Sequence, residues 1–173
     1  MIDNTFASPV NQNPIDHGID IVIHSATKYL GGHSDISAGA VISTEEKIEN
    51  ILNSAKNFGG NLSDYTVWLL ERSMKTLLVR VKQQTENAKI LAKMLDDNKN
   101  ISKVYYPGLE SHPSHSIAKE QMNDFGAMMS FDLNENVDVY TFLESLKIIK
   151  PGMSLAGVET TVNFPMKTSH GLM

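Results

Sequence analysis

Ile19-Asp20-Ile21-Val22-Ile23-His24-Ser25-Ala26-Thr27-Lys28-Tyr29-Leu30-Gly31-Gly32 is the stretch on which the fold turns. From Ile19 to Ile23 it is β-branched and apolar apart from Asp20, the composition of a strand covered on both faces. The polar and glycine residues follow at once, from His24 to Ser37, with Gly31-Gly32 as backbone punctuation. Ala38 to Ile42 reads as a second strand of the same kind. In open α/β sheets, functional groups sit just past the carboxyl ends of strands, and the residues after Ile23 occupy that place. They deliver two hydroxyls and one amine, Ser25, Thr27 and Lys28, within four residues. A lysine partly desolvated there has its pKa lowered from about 10.4. The neutral amine can attack a carbonyl and form a Schiff base. Ser25 and Thr27 could both donate to an anion such as phosphate, although the Walker order Gly-x-x-x-x-Gly-Lys-Ser/Thr is absent. On residue type alone, Lys28 could equally be a solvated lysine beside a turn.

Upstream, Asp3 lies 25 residues before Lys28 at the end of a short strand. An aspartate beside a cofactor's ring nitrogen would keep that nitrogen protonated, as a pyridoxal phosphate electron sink requires. It could also simply open an edge strand. Downstream, Ser43 with Glu46 has the spacing of a capping box, which predicts a helix over 44–55. Phe58-Gly59-Gly60-Asn61 is a break. Val67, Leu70, Met74, Leu77, Val81, Ala88, Leu91 and Leu95 then follow helical spacing with a gap at Thr85. They predict one long helix, or two joined near residue 80, N-capped by Ser63 or Asp64. A polar run at 96–100 ends it, and a boundary falls near residue 97. Beyond it we expect strands at 101–106 and 128–133, a Pro107-Gly108 turn, and helices near 114–122 and 137–146. Strands mixed with helices in this way make a small α+β unit.

The composition removes whole classes of function. Hydrophobic residues are 41% and charged residues 20% of the 173, and 15 Lys+Arg against 20 Asp+Glu leave a net charge of −5, ordinary for a soluble globular chain. No basic excess exists to neutralise a nucleic-acid backbone, and no apolar run approaches the ~20 residues of a membrane span. We therefore expect neither nucleic acid nor membrane as a partner. With no cysteine, disulfides and thiolate metal sites are excluded, which together with the opening residues leads us to expect a cytoplasmic protein. His112-x-x-His115 is interrupted by Pro113 and lacks a third ligand, so it reads as a loop rather than a metal site. Met128-Met129 reads as core packing.

Taken together, Asp3-Asn4-Thr5-Phe6-Ala7-Ser8-Pro9 and Asp20 to Asp35 closely resemble the Cys/Met-metabolism family of pyridoxal-phosphate enzymes. That family includes cystathionine γ-synthase, cystathionine γ-lyase, cystathionine β-lyase, methionine γ-lyase and O-acetylhomoserine sulfhydrylase. The resemblance runs on through Trp68-Leu69-Leu70 with Met74-Lys75-Thr76-Leu77, and through Tyr106-Pro107-Gly108-Leu109 with Ser111-His112-Pro113. It continues through Gln121-Met122 with Phe125-Gly126 and closes with Ser154-Leu155-Ala156-Gly157-Val158-Glu159-Thr160, so it covers essentially the whole chain.

The resemblance implies an α/β chain that is part of a fold-type I transferase. Residues 1–62 would be the C-terminal part of the PLP-binding domain, 63–97 a long linking helix and 98–173 an incomplete C-terminal α+β domain. It implies pyridoxal 5′-phosphate as cofactor, with Lys28 as the Schiff-base lysine and Asp3 paired with the pyridine nitrogen. Ser25 and Thr27 would hold the phosphate, Thr5 would lie near the ring, and Ser154 would position the substrate carboxylate. The substrate would be a sulfur amino acid whose C–S bond is cleaved or formed, and the full-length form a homodimer or homotetramer. Family members are longer at both ends. A glycine-rich phosphate loop, a ring-stacking tyrosine, groups lent to a neighbouring subunit and a carboxylate-binding arginine are not in these residues. The chain is therefore expected to be a truncated enzyme or an incomplete fragment that keeps the lysine without turnover. Ala156 stands where a glycine is common in the family.

Overall fold

The computed structural model describes residues 1–167. The chain opens with β1 (Ile2–Asp3), the short helix α1 (Ser8–Asn11), β2 (Val22–Ser25) and β3 (Gly39–Ile42). These strands form a sheet in the order β1-β2-β3, with β1 parallel to β2 and β3 antiparallel to it. Asp3 is opposite Ile23, so the carboxyl ends of β1 and β2 lie side by side. The strand expected at 19–23 is shifted toward the C-terminus. Its pairing is set by Ile2–Asp3 on one side and Gly39–Ile42 on the other, which leaves Ile19 and Asp20 outside the ladder. β3 was expected to be covered on both faces and is not: Val41 and Ile42 are 39% and 42% exposed.

Helix α2 (Glu45–Phe58) follows, and it buries none of its residues. The expected capping box does not form. Thr44 stands at the N-cap without a side-chain cap, while the Ser43 hydroxyl donates to the Asp20 carbonyl at 2.6 Å. The long periodic stretch is two helices, α3 (Asp64–Met74) and α4 (Leu77–Asp96), joined at Lys75-Thr76 rather than near residue 80. Ser63 caps α3 by accepting from the Thr66 amide. At the joint the Lys75 and Thr76 amides bond to Arg72 and Ser73 carbonyls, three residues back, which tightens the last turn of α3. On α4, Val81, Thr85, Ala88 and Ala92 are buried. The gap in the apolar stripe is thus filled by a threonine, whose hydroxyl lies 3.4 Å from the Asn11 side-chain amide.

The second half is built on α4. Strands β4 (Ile101–Tyr105) and β5 (Ser130–Leu133) pair antiparallel, with α5 (His115–Gln121) between them in the chain. Helix α6 (Val139–Ser145) and the parallel pair β6 (Lys150–Pro151) and β7 (Thr161–Val162) follow, and single 3-10 turns lie at Pro14–His17 and Pro165–Lys167. The core is Ala88 and Ala92 of α4 against Val104 and Tyr106, with Leu95, Ile101, Phe125, Met129 and Phe131 packed around them. His115 stacks on Phe125 at 5.2 Å and bonds the Pro107 carbonyl through Nδ1, while His112 accepts from the Ser114 amide. Both histidines brace a loop. No helix among the described residues is long and apolar enough to cross a membrane.

Tyr106 is 1% exposed, and its hydroxyl donates to the buried Gly126 carbonyl at 2.9 Å. Tyr106→Phe leaves that carbonyl unpaired and should cost about 1–2 kcal/mol in urea unfolding. Tyr105→Phe removes an exposed bond to Asp132 and should leave the unfolding midpoint close to wild type. Equal losses for the two would contradict the burial argument.

Candidate functional site

The site begins where β1 and β2 end. One Asp3 carboxylate oxygen accepts from the Thr5 amide at 2.9 Å and from the Thr5 hydroxyl at 2.5 Å. The same hydroxyl accepts from the Ser25 amide at 2.7 Å. Thr5 therefore relays between the carboxylate on β1 and the last residue of β2, which lies 20 positions beyond Thr5 itself. These two bonds from Thr5 hold the Asp3 carboxyl below the usual carboxylate range, with a smaller contribution from nearby His24. His24 is buried, and burial lowers its pKa against the pull of the Asp3 charge.

After β2 the chain turns sharply. The amides of Lys28, Gly31 and Gly32 bond to the carbonyls of Ser25, Ala26 and Lys28. The Thr27 hydroxyl accepts from the Ala38 amide at 3.0 Å and lies 3.3 Å from the Ala38 carbonyl, which ties the turn to the start of β3. Ser25 gives its amide to Thr5 and leaves its half-buried side chain outside that relay. Lys28 is half-buried, and its Nζ donates to the Ser154 hydroxyl at 3.5 Å. Residues 126 positions apart in the chain are thereby brought together. The loop carrying Ser154 is shaped by Ala156, which takes φ +67, a left-handed conformation that disfavours any Cβ. The Gly157 carbonyl accepts from Gln84 Nε2 of α4 at 2.8 Å.

Asp3 lies at the end of β1 and Thr5 just past it, Ser25 at the end of β2, Thr27 and Lys28 on the turn that follows, and Ser154 on the loop between β6 and β7. Asp3, Thr5 and Ser25 form one bonded set, Lys28 and Ser154 another, and Thr27 lies between them on the turn. A crevice of about 360 Å³, lined by Ile2, Asp3, Phe6, Pro107, Phe125 and Met128, opens beside Asp3 but does not reach Lys28 or Ser154. Sequence reasoning missed Arg80. Its guanidinium donates to the carbonyls of Tyr29 and Leu30, directly after Lys28, and to that of Ser73. It also missed Gln84. Neither carries a motif, because both bond to backbone carbonyls.

Strand-end placement of a lysine, a carboxylate and hydroxyls defines the class first: an α/β architecture with an amine and an acid at the carboxyl edge of its sheet. A cystathionine gamma-lyase from Lactobacillus plantarum, solved with L-serine, superposes with a TM-score of 0.93 at 43% identity over 98% of this chain and 45% of its own. That similarity makes the fold part of the fold-type I architecture. A cystathionine beta-lyase of Lactococcus lactis subsp. cremoris is 45% identical over 171 residues, 98% of this chain and 45% of that protein. An L-methionine gamma-lyase of Fusobacterium nucleatum is 41% identical over 173 residues, 98% of this chain and 44% of that protein. The model of the family described as Cys/Met metabolism PLP-dependent enzymes matches residues 1–173, and the chain belongs to that family. It spans less than half the length of these relatives. The family's cofactor is pyridoxal 5′-phosphate.

Two outcomes follow from this geometry. Ala156→Gly relieves the left-handed strain, and after the entropy that glycine adds to the unfolded chain it should stabilise by up to about 1 kcal/mol in urea unfolding; a loss would mean that the loop needs the methyl group. Thr5→Val should move the Asp3 carboxyl titration upward, measured by carboxyl NMR, because both the relay hydroxyl and the geometry of the amide bond are disturbed. The sign for stability follows from the lowered folded pKa. Asp3's contribution is fully present above the unfolded value near 3.9 and is lost as pH falls through the folded one. The acid limb of the stability profile should therefore flatten in the variant.

Proposed function

We propose that the chain is the lysine-bearing portion of a pyridoxal-phosphate enzyme that cleaves or forms the C–S bond of a cystathionine, homocysteine, cysteine or methionine derivative. The observation that carries the reading is the convergence of Lys28 with Ser154 beside the Asp3–Thr5–Ser25 relay. The donor set suits the group chemically. It offers a half-buried primary amine for an aldehyde, a carboxylate kept ionised for a ring nitrogen, and hydroxyls for a phosphate.

In this reading residues 1–62 belong to the cofactor-binding domain, 63–97 link it, and 98–173 are part of the C-terminal domain. Lys28 would be the catalytic residue, whose amine would hold the cofactor's aldehyde and move protons at the substrate's carbons. Asp3 would hold the proton on the ring nitrogen, and Thr5 aims Asp3 and lowers its pKa by bonding one of its oxygens twice. Ser25 and Thr27 would hold the phosphate. Thr27's bonds to Ala38 fix the turn that presents it. Ser154 orients the substrate carboxylate within reach of Lys28 Nζ. When bound, pyridoxal phosphate supplies an electron sink for charge developing on substrate carbon. The relatives named above act as β-lyase, γ-lyase and methionine γ-lyase, which supports sulfur amino acids as the substrate class. The working form is a cytoplasmic homodimer or homotetramer.

The test is covalent labelling. Incubation of the purified chain with pyridoxal phosphate followed by borohydride should leave a pyridoxyl group on the peptide containing Lys28, and Lys28→Ala should remove it. A label that persists elsewhere in Lys28→Ala would reject Lys28 as the anchor. Products assayed from cystathionine, methionine and O-acetylhomoserine then separate two outcomes: an enzyme that turns over, and a chain that binds the cofactor without turnover.

A further inference from the structure

Arg80 and Gln84 stand four residues apart on α4, one helical turn, and so share a face of that helix. Their side chains grip two different loops. Arg80 Nη1 donates to the Tyr29 carbonyl at 3.0 Å, and Nη2 to those of Leu30 at 3.5 Å and Ser73 at 3.0 Å. Nε donates to the Thr76 hydroxyl at 3.1 Å, which sets the guanidinium at the joint between α3 and α4. Its bonds fall on backbone carbonyls and a hydroxyl, and two of the carbonyls belong to the residues that follow Lys28. The turn is built around it. Gly32 takes φ +69, and a Cβ there would lie 1.8 Å from Nη1, so any side chain at that position would expel the guanidinium.

Gln84 does the same for the other loop. Its Nε2 donates to the Gly157 carbonyl, three residues after Ser154, while its Oε1 is buried with no partner among the described residues. An amide that buries one end unpaired is placed by its other end. The loop it holds is already constrained by Ala156 at φ +67, and a Cβ on Gly157 would come within 2.8 Å of the Ser34 hydroxyl, in the segment that follows the Lys28 turn. The two loops gripped from α4 are the ones that meet where Lys28 Nζ reaches the Ser154 hydroxyl.

We propose that Arg80 and Gln84 are a pair of positioning residues through which one turn of α4 sets the distance between the Lys28 turn and the Ser154 loop. The clamp is a property of the chain alone; its bearing on catalysis rests on the function proposed above. Lysine cannot reproduce the planar fork at position 80, because one ammonium on a flexible stem does not span three carbonyls held in fixed directions. Leucine at 84 keeps the bulk and removes the donor.

Hydrogen exchange of the whole chain without cofactor, read peptide by peptide, tests the clamp. Arg80→Lys should speed exchange about tenfold over residues 29–34, and Gln84→Leu about tenfold over 152–158, the order expected for one lost hydrogen bond. The α4–β4–β5 peptides should stay at wild-type rates. If Gln84→Leu does not fold, Gln84→Asn withdraws the same donor with a shorter side chain. Equal acceleration everywhere, no acceleration, or an effect in only one of the two segments would each overturn the pair. Pyridoxyl labelling of Lys28 at limiting cofactor, run in parallel, should fall several-fold in both variants. A wild-type chain that takes no label while both local exchange effects appear would leave the clamp standing and remove the cofactor assignment. Unchanged exchange in a chain that labels normally would do the reverse.

Discussion

The Thr5 hydroxyl is the group on which the site depends. It donates to Asp3 and accepts from the Ser25 amide, so a single oxygen joins the carboxyl ends of two parallel strands. β1 is only two residues long and pairs with β2 through two register positions. A ladder that short fixes the relative height of its strands weakly, and a side-chain relay beyond its last rung pins what the ladder leaves loose. The relay also lowers the carboxyl pKa. Both Thr5 donors bond one Asp3 oxygen, which favours the ionised form and fixes the group although it is exposed. A carboxylate that is both anionic and rotationally fixed is what a ring nitrogen needs as a partner, whereas a freely rotating surface aspartate would serve only as diffuse charge.

Helix α4 carries the second constraint. Along its length it buries Val81, Thr85, Ala88 and Ala92, and it meets three different bodies in turn. Arg80 reaches the lysine turn, Thr85 meets Asn11 at the end of α1, and Ala88 and Ala92 carry the β4–β5 sheet. Small residues at 88 and 92 let the strands lie close to the helix, while the longer side chains at 80 and 84 span gaps to loops. One rigid element therefore indexes the strand-end turn, the N-terminal helix and the second sheet against one another. This explains why its face is polar where an amphipathic pattern would be apolar.

What could be read in the sequence follows from how local each feature is. The turn from Ser25 to Gly32 was legible because its hydroxyls, amine and glycines sit within eight residues after an apolar run. The family's motifs placed Asp3 and Ser154 relative to it, which spacing alone does not do. The misplaced strand at 19–23, the unformed capping box and the threonine in the helix stripe share one cause. Each was decided by a distant partner: Gly39–Ile42 for the strand, the Asp20 carbonyl for Ser43, and Asn11, 74 residues away, for Thr85. Arg80 and Gln84 were invisible for a stricter reason. Apart from the Thr76 hydroxyl, their acceptors are carbonyls, which every residue possesses, so no pattern of side chains marks the contact.

His24 completes the electrostatic logic of the strand ends. It points to the buried side of β2, and burial pushes its pKa down while Asp3's charge pulls it up, burial being the larger effect. The Asp3 carboxyl is lowered as well, chiefly by the two bonds from Thr5. A lowered imidazole is more fully neutral and a lowered carboxyl more fully ionised, so both shifts favour the same pair of forms. Near neutral pH the imidazole is uncharged and the carboxylate keeps its full charge, instead of spending it on an internal ion pair. Had the histidine been solvated and cationic, it would have competed with any bound cation for Asp3, and a protonated ring nitrogen is such a cation. Burying the imidazole one residue before Ser25, beside a relay that lowers the Asp3 pKa, keeps the negative charge at the carboxyl edge of the sheet available to a ligand.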